Sequence, residues 1–332
     1  MCGQRTRCRV GLSAGVLLAM LLTPPALAQD GAAADYPNRT IRIVVGFTPG
    51  GAPDITARII AQGLQERWKQ SVVVENRPGA GSAIGAQFVA NSAPDGYTLM
   101  SITNAHAVAP AINPKLAYDA LNDFAPVTMT SSAPKWVLVS PSLGVKTLKD
   151  LIALAKQKPN ALNYSSSGGG SFMHFGAAMF NDAVGIEAQH IPMKGPPEAL
   201  TEIVAGRVQY AISPIGASSG LVRDGQLLAL AVMDNKRLPD FPNVPTAAEA
   251  GFAGIEQTTW TAILAPAKTP PAIVAKLNEA IGHLLQQPDT KKKWASFGID
   301  AVPTTPEELR KILTQEIDDF TKAARRANIS IQ

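Results

Sequence analysis

An anion-binding loop is predicted at Thr48-Pro49-Gly50-Gly51, between an apolar, β-branched run and a stretch of helical spacing. Backbone N–H groups at the N-terminus of a helix attract anions, and glycine lets a ligand's oxygen atoms approach the backbone closely. The Lys that binds phosphates in a Walker loop is missing here, because Ala52 follows the last glycine. The loop therefore predicts a carboxylate site and not a polyphosphate site.

Asp54 lies three residues beyond this loop, and the sequence leaves two roles open for its carboxylate. It could accept hydrogen bonds from a donor on the ligand. It could also be the N-cap of the helix that follows, since Asp is among the preferred residues at that position. Both roles could hold at once.

A second glycine-rich loop is predicted at residues 166–171, which read SSGGGS and precede a helix that carries His174 in its first turn. Two strand-to-helix loops of this kind, one in each half of the chain, would face each other across a cleft. The alternatives are a flexible surface loop at 166–171 and a capping or packing role for His174.

The elements that must position these loops alternate between strand and helix along the chain, which predicts an α/β fold with mostly parallel sheets covered on both faces. The first unit has predicted strands at 41–47, 72–75 and 97–103, with helices at 55–68 and 85–92. An extended crossover at 123–139 leads into a second unit where the alternation restarts. A chain of this length usually divides its core into two lobes, and one large doubly wound sheet is the alternative.

Residues 1–28 have the pattern of an export signal: three arginines, then an apolar stretch at 10–22, then Ala26-Leu27-Ala28 as a cleavage site. A membrane anchor is the less favoured reading, because the apolar stretch is shorter than the roughly 20 residues that a spanning helix needs. Cleavage after Ala28 would leave 304 of the 332 residues in an exported, periplasmic protein.

The composition changes once this signal is removed. The chain has 30 Lys and Arg against 26 Asp and Glu, but three of the arginines lie in the signal, so the mature net charge is about +1. A nucleic-acid partner is not expected, since a basic surface would survive processing. Cys2 and Cys8 also lie in the signal, and the mature chain therefore has no disulfide and no thiol chemistry.

No cofactor and no metal are expected from the remaining motifs. Residues 79–85 read G-x-G-x-x-x-G, which is one residue longer than the dinucleotide-binding fingerprint. The histidines show no spacing typical of metal ligands. They are His106, His174, His190 and His283.

A serine hydrolase is an alternative, because residues 216–220 match the nucleophile-elbow pattern G-x-S-x-G with Ser218 at its centre. A hydrolase needs Ser, His and an acid to converge. The only downstream histidine, His283, lies within a predicted helix, and the motif begins three residues past its strand. The sequence therefore favours a protein that is not an enzyme.

An ordered set of motifs resembles the tripartite tricarboxylate transporter family of periplasmic solute-binding receptors, also called Bug-type receptors. Each motif alone is weak, but the set covers essentially the whole mature chain. The motifs include FTPGG-x-x-D at 47–54, VENRPGAG at 74–81, PDGYTL at 94–99 and LPDFPNVPT at 238–246.

The resemblance implies a two-lobed type II periplasmic-binding-protein fold, or Venus flytrap, that closes on a small organic acid. Lobe 1 would comprise residues 36–130 and 251–332, and lobe 2 residues 131–250, with hinge strands near 130–135 and 254–259. In this family a ligand carboxylate is held by backbone amides and ordered water at the first strand-to-helix loop. The implied ligand-binding residues are Thr48, Pro49, Gly50, Gly51, Asp54, Thr103, His106, Ser166, Ser167, Gly168, Gly170, Ser171 and His174, with Lys194 and Ser213 as further candidates.

Three departures from the family pattern make the cleft less acidic and more apolar. Met193 stands where Tyr is common, residues 209–214 lack the usual acidic character, and Phe172-Met173 replaces a frequent Pro-Ser pair. We therefore expect a mono- or dicarboxylate ligand with an apolar body, aromatic acids included. A monomeric receptor would deliver it to a tripartite tricarboxylate-type membrane transporter, and a sensor domain reporting to a partner kinase is the alternative.

Overall fold

Ten strands form the framework of the molecule in a computed structural model that describes residues 34–296 and 299–327, together with Gly3 and Ile329. The strands are β1 (Ile41–Val45), β2 (Val72–Asn76), β3 (Thr98–Thr103), β4 (Phe124–Val139), β5 (Asn163–Ser166), β6 (Gln189–Pro192), β7 (Tyr210–Pro214), β8 (Leu228–Val232), β9 (Thr258–Pro266) and β10 (Asp300–Ala301). The predicted signal at residues 1–28 lies outside these ranges, apart from Gly3.

Ten α-helices connect and cover the strands in the described ranges. They are α1 (Ala52–Trp68), α2 (Ala83–Ala90), α3 (Ala105–Ile112), α4 (Leu148–Gln157), α5 (Phe172–Val184), α6 (Pro196–Val204), α7 (Ile215–Arg223), α8 (Pro271–Gln286), α9 (Pro288–Ser296) and α10 (Pro306–Arg326). Within this part of the chain, no helix combines the length and the apolar character that crossing a membrane requires.

The sheet has two halves that share the long strand β4. The first half has the order β2-β1-β3-β9-β4, and the second has the order β4-β7-β5-β6, with β8 and β10 also paired to β4. β4 pairs with β9 from Phe124 to Pro134 and with β7 from Lys135 to Val139. The predicted crossover at 123–139 is therefore one continuous strand that passes from one half to the other.

Parallel strands occupy the outer part of each half, where the predicted loops lie. β1 pairs in parallel with β2 and β3, and β5 pairs in parallel with β6 and β7. β9 and β4 run antiparallel between them. Because the carboxyl ends of β1 and β5 each lead into a helix, the glycine-rich loops follow the strand ends at which α/β proteins bind ligands.

Each half has its own apolar core on both faces of its sheet. Ile43 of β1 packs with residues of α1 and α8, whereas its neighbour Val44 packs on the opposite face with residues of α10. In the second half, Val137 faces α4 and α5, while Trp136 faces α6 on the other side. Successive strand residues point to opposite faces, so helices on both faces explain why neighbouring residues such as Ile43 and Val44, or Trp136 and Val137, are all apolar.

Helix α10 links the two halves. It begins with a capping box, in which Thr305 Oγ1 accepts from Glu308 N at 3.1 Å and Glu308 accepts from Thr305 N at 2.8 Å. Phe320 of α10 packs against Phe175 of α5, in a small cluster that also contains Val108 of α3. The C-terminal helix thus contacts elements of both halves. The lobe boundaries given above stay a prediction.

Candidate functional site

A cavity of about 430 Å³ lies between the two halves of the molecule. The first half contributes Phe47, the turn Ala80-Gly81 and a wall of α3. The second half contributes Gly169, Gly170, Ser171 and Phe172 from the loop before α5. The lining side chains from α3 and the segment after it are mainly apolar, namely Val108, Ala109, Ile112 and Leu116. The cavity borders the second predicted loop at 166–171, whereas on the side of the first predicted loop it contacts only the adjoining Phe47. The cleft between paired glycine-rich loops therefore stays a prediction.

The loop after β1 is organised by the buried carboxylate of Asp54, which is 2% exposed. Oδ2 accepts hydrogen bonds from Gly50 N at 2.9 Å and from Arg58 Nε at 3.0 Å. Oδ1 accepts from Asn76 Nδ2 at 2.9 Å and pairs with Arg58 at 3.0 Å. Each oxygen therefore has two donors, which is the ordinary capacity of a carboxylate oxygen.

These contacts decide what Asp54 does in the loop. Burial raises the pKa of its carboxyl, but the hydrogen bonds from Arg58, Gly50 and Asn76 outweigh that effect and hold the pKa below its usual range. The N-cap of α1 is Gly51, so the N-cap alternative for Asp54 is wrong. Asp54 instead reaches back to Gly50, whose φ of +90° bends the loop.

The four loop residues 48–51 are exposed, and the wall of the cavity on this side is formed by Phe47. Asn76 joins the strand end to the loop, because its Nδ2 also donates to Phe47 O at 3.0 Å. The loop backbone is thus fixed by side chains of β2 and α1. Gly50 N–H is taken by Asp54, whereas Gly51 and Ala52 at the start of α1 are exposed to a ligand or to water.

The turn Gly79–Ser82 contributes Ala80 and Gly81 to the cavity wall, although none of its residues was among the predicted site residues. Its φ angles are positive at all four residues, from +47° at Ala80 to +137° at Gly79. A Cβ atom on Gly46 would lie 1.9 Å from Ser82 Oγ, and one on Gly85 would lie 3.1 Å from Gly46 Cα. The glycine spacing therefore serves close packing of this turn against the end of β1, and it is the signal that would have located this wall.

The loop after β5 is held by two residues of its own segment and by His174. Ser171 caps α5 by accepting from His174 N at 3.3 Å, and Gly170 N donates to His174 Nδ1 at 3.1 Å. Ser166 Oγ accepts from Gly168 N at 3.1 Å. Gly168 and Gly170 have φ angles of +120° and +72°, which glycine adopts without strain. Ser167 lies in the same loop and is partly exposed.

His190 of β6 supports this loop and was not among the predicted site residues. Its ring stacks on that of His174 with centroids 3.6 Å apart, and its Nε2 lies 2.6 Å from Ser166 Oγ. Burial lowers the pKa of both imidazoles to about 4, and for His174 the neighbouring His190 lowers it further. The contacts of His190 with His174 and Ser166 result from the strand register, which places His190 opposite Tyr164. No local sequence pattern predicts them.

Of the fifteen predicted site residues only Gly170 and Ser171 line this cavity, and four of the others lie outside both glycine-rich loops. His106 is buried in the core of the first half, where its Nε2 lies 2.8 Å from Ala120 O and its ring packs on Tyr118 and Phe124. Burial lowers the pKa of His106 to about 4. The other three are Thr103 at the end of β3, which accepts from Ala105 N, Lys194, whose side chain is exposed, and Ser213, which is buried in β7.

The environment of Ser218 contradicts the hydrolase alternative. The residue lies within α7 instead of on a strand-to-helix turn, and it is 1% exposed. Its Oγ accepts from Trp136 Nε1 at 2.7 Å and donates to Pro214 O at 3.0 Å. His283 lies on α8, which packs against the first half of the sheet. Ser218 is therefore a buried structural residue and not an exposed nucleophile.

Across residues 34–296 and 299–327, no three His, Cys, Asp or Glu side chains come together in an arrangement that could bind a metal ion. The cavity is lined instead by glycines, by the polar residues Asn113 and Ser171, and by apolar residues. Such a surface can bind an anion by hydrogen bonding and the rest of the ligand by apolar contact.

Sequence and structure comparisons place the chain among receptors. Residues 56–328 match the family described as "Tripartite tricarboxylate transporter family receptor". Over 318 residues the chain is 33% identical to Protein BugT of Bordetella pertussis, and the alignment covers 95% of this chain and 98% of that protein.

Two solved structures with bound acids share this fold. Rpa4515 of R. palustris, solved with adipate, has 34% identity and a TM-score of 0.74, covering 89% of this chain and 99% of that one. MatC from Rhodopseudomonas palustris, with bound malate, has 32% identity and a TM-score of 0.71, covering 87% of this chain and 99% of the other.

Proposed function

Because the chain belongs to the tripartite tricarboxylate transporter family of receptors, we propose that it captures a small carboxylate with an apolar body in the cleft between its two lobes. The observation that carries this proposal is the lining of the 430 Å³ cavity, in which exposed backbone of glycine-rich turns meets apolar side chains. The adipate and malate bound by two relatives support an organic acid as the ligand class.

The carboxylate end of the ligand would lie at the glycine-rich turns. Peptide N–H groups of Gly81, Gly169 and the loop before α1 supply neutral donors, which suit an anion that must be released again. The Ser171 side chain lines the same cavity from the second lobe. A ligand that reaches both sets of donors bridges the two lobes.

The apolar body would lie against Val108, Ile112 and Phe172, which line the cavity from both lobes. Burial of apolar surface contributes roughly 25 cal/mol per Å², so a methylene chain or an aromatic ring gains affinity here. A polyhydroxylated or tricarboxylic acid would instead place polar groups against these side chains, at a cost in free energy. The cleft therefore favours adipate-like and aromatic acids over citrate.

Closure of the lobes would couple binding to recognition by a partner. β4 passes between the halves at Pro134-Lys135, where Lys135 N donates to Gln257 O at 3.1 Å. These two crossing segments form the hinge in our proposal. A ligand that contacts both lobes only when they are closed shifts the population toward that state.

The closed receptor would deliver its acid as a monomer to a membrane transporter of the tripartite tricarboxylate type. This role requires export to the periplasm, with signal cleavage after Ala28. The mature net charge of about +1 gives no strong field of its own for attracting an anion. Recognition would therefore depend on the local donors of the cleft.

A ligand panel tests the proposal. We expect adipate and benzoate to raise the unfolding free energy of the mature protein by roughly 2.7 kcal/mol at 100 times their dissociation constants. Malate should bind more weakly and citrate more weakly still, as measured by thermal shift and titration calorimetry. Hexane-1,6-diol is the matched control, since it has the methylene chain of adipate without the carboxylates. Equal binding of the diol, or binding by none of the acids, would overturn the proposal.

A further inference from the structure

The second-lobe loop depends on a histidine from a neighbouring strand. His190 lies on β6, and Ser166 is the last residue of β5, in register with Pro192. The ring nitrogen Nε2 of His190 approaches Ser166 Oγ at 2.6 Å. The same hydroxyl accepts from Gly168 N and contacts Gly168 O at 2.9 Å, so His190 is linked through Ser166 to the first turn of the loop.

His190 also supports the other end of the loop. Its ring stacks face to face with His174, at 3.6 Å between centroids and 13° between planes. His174 Nδ1 accepts from Gly170 N at 3.1 Å. Because Nδ1 is an acceptor, the His174 ring is neutral and carries its proton on Nε2. One residue on β6 thus contacts both of the groups that shape the glycine run.

We infer that His190 is a positioning residue for the ligand cleft: it holds Ser166 by a hydrogen bond and His174 by stacking, and so sets the conformation of residues 166–171. The inference rests on the proposed function in one respect, namely that Gly169 and Gly170 form a wall of the ligand site. His190 itself lines a different cavity, of about 840 Å³, beside β6, α5 and the end of α10. It therefore acts on the cleft without contacting the ligand.

The surroundings of the pair make it respond to acid. Tyr164 of β5 packs on both rings, Asp182 of α5 forms an ion pair with Arg326 of α10, and Glu187 precedes β6 in the wall of the same cavity. The N-terminus of α5 also disfavours a charge on His174.

Protonation would break the arrangement in two ways. A proton on His174 Nδ1 removes the acceptor for Gly170 N, so two donors then face each other. Two stacked imidazolium rings also repel at this distance. Both imidazoles have pKa values lowered to about 4, so the loop should keep its conformation at neutral pH and lose it as the pH falls toward 4.

Nitrogen-15 NMR of the ligand-free, mature protein tests the inference with three variants. His190→Phe keeps the ring stack and removes the hydrogen bond, whereas His190→Gln keeps a donor near the Nε2 position and removes the stack. His283→Gln changes an exposed histidine of α8 and is the matched control. At pH 7 we expect the Gly168 amide resonance to move in His190→Phe, the Gly170 resonance to move in His190→Gln, and neither to move in the control.

The pH profile separates positioning from general stability. In the wild type the Gly170 amide resonance should shift with a midpoint near pH 4, as His174 is protonated. In His190→Gln this midpoint should rise, because the neighbouring imidazole no longer opposes charge on His174. Unchanged Gly168 and Gly170 resonances and an unchanged midpoint in both His190 variants would overturn the inference. If one variant does not fold, the other still decides the question.

Adipate calorimetry at pH 7 then links the loop to binding. We expect the dissociation constant to rise about fivefold in His190→Phe, as for loss of one hydrogen bond, and to stay unchanged in His283→Gln. Failure of the wild type to bind any acid would contradict the proposed function, whereas the amide shifts need no ligand and still test the role of His190. Equal affinity in wild type and both His190 variants would overturn the link to the cleft.

Discussion

The two loops that face the cleft are each held in place by buried polar side chains, but these side chains are charged in one loop and neutral in the other. The loop after β1 is held by an ionised carboxylate, Asp54, whose two oxygens accept from a backbone amide and from the side chains of Arg58 and Asn76. The loop after β5 is held by two neutral imidazoles, His174 and His190. Exposed glycine backbone alone has no fixed shape, so each loop needs a buried polar anchor to present its N–H groups.

The two anchors also differ in their distance along the chain. Asp54 is four residues from the amide that it binds, and it acts within one turn of helix. His190 is 24 residues from Ser166, and the contact exists only because β6 pairs with β5. Each loop therefore combines a contact across four residues with a tertiary contact, which comes from Asn76 of β2 in the first loop and from His190 of β6 in the second. This comparison leads to four measurable differences.

The largest effect is expected from Asp54→Ala. The substitution leaves the donors of Gly50, Asn76 and Arg58 without their buried acceptor, although Arg58 is half exposed and regains water. We expect the free energy of unfolding to fall by about 2–3 kcal/mol, and we expect the variant to lose binding of every class of acid ligand. Urea denaturation and calorimetry measure both. Asp54→Asn, which keeps the shape and loses the charge, should cost about half as much, and two variants with unchanged stability would contradict the role of Asp54 as the anchor.

Gly46→Ala is expected to disturb the first-lobe wall without touching either anchor. The new Cβ would lie 1.9 Å from Ser82 Oγ and 2.9 Å from Ser82 Cα, so the turn at 79–82 must move. Such overpacking costs about 1–3 kcal/mol. Gly220→Ala in α7 is the matched control, because its Cβ meets no atom within 4 Å. Thermal unfolding should give a lower midpoint temperature for Gly46→Ala than for Gly220→Ala. Equal midpoints would show that the turn can move without a cost in stability.

The pH dependence of stability should distinguish the two anchors. The pKa of His174 and His190 is lowered to about 4 from 6.5, so the unfolded chain binds more protons between these values and stability falls as the pH drops from about 6.5 to 4. The Asp54 contribution is present above its ordinary pKa near 3.8 and is lost only at lower pH. Urea unfolding at pH 7, 5.5 and 4.5 measures this.

His190→Gln is the variant that checks this assignment. It should reduce the slope of stability against pH by up to about 1.4 kcal/mol per pH unit, the contribution of one proton. His106, which is buried in the first-lobe core with a pKa of about 4, retains its share of the slope. A slope that does not change in His190→Gln would place the acid sensitivity outside the second-lobe loop.

The smallest effect is expected from Lys194→Ala. Its side chain is exposed, and its backbone N donates to Glu198 at the start of α6. Stability should change by less than about 0.5 kcal/mol, as for most surface substitutions, and the adipate dissociation constant by less than about twofold. A tenfold loss of affinity with unchanged stability would show instead that lobe closure brings Lys194 to the ligand.

Much of the fold could be predicted from the chain alone. Periodicity located β1, β2 and β3 and most helices, because apolar spacing reports directly which face of an element is buried. The cap of α10 was readable at Thr305, since capping depends on a few adjacent residues. Helices α3 and α7 were missed: α3 contains Pro110 and follows β3 almost directly, and α7 carries the glycines of the motif around Ser218.

The candidate site was predicted less evenly. The glycine-rich loops near Gly50 and Gly170 were visible as sequence signals, because glycine with positive φ is a local requirement. His106 was assigned to the ligand, but the structure buries its ring between Tyr118 and Phe124. Side-chain direction at the end of β3 depends on which surfaces pack there, and residue type alone does not reveal that.

The sequence by itself determined the class of the protein, its alternating elements and the two glycine-rich loops, since each of these depends on neighbouring residues. Tertiary structure alone decided which atoms hold the loops: the saturated carboxylate of Asp54, the stack of His190 on His174, and the packing of Gly46 against Ser82. The physical reason is that these contacts join strands through their register and helices through their packing. Register and packing are properties of the assembled sheet and core, which no short segment contains.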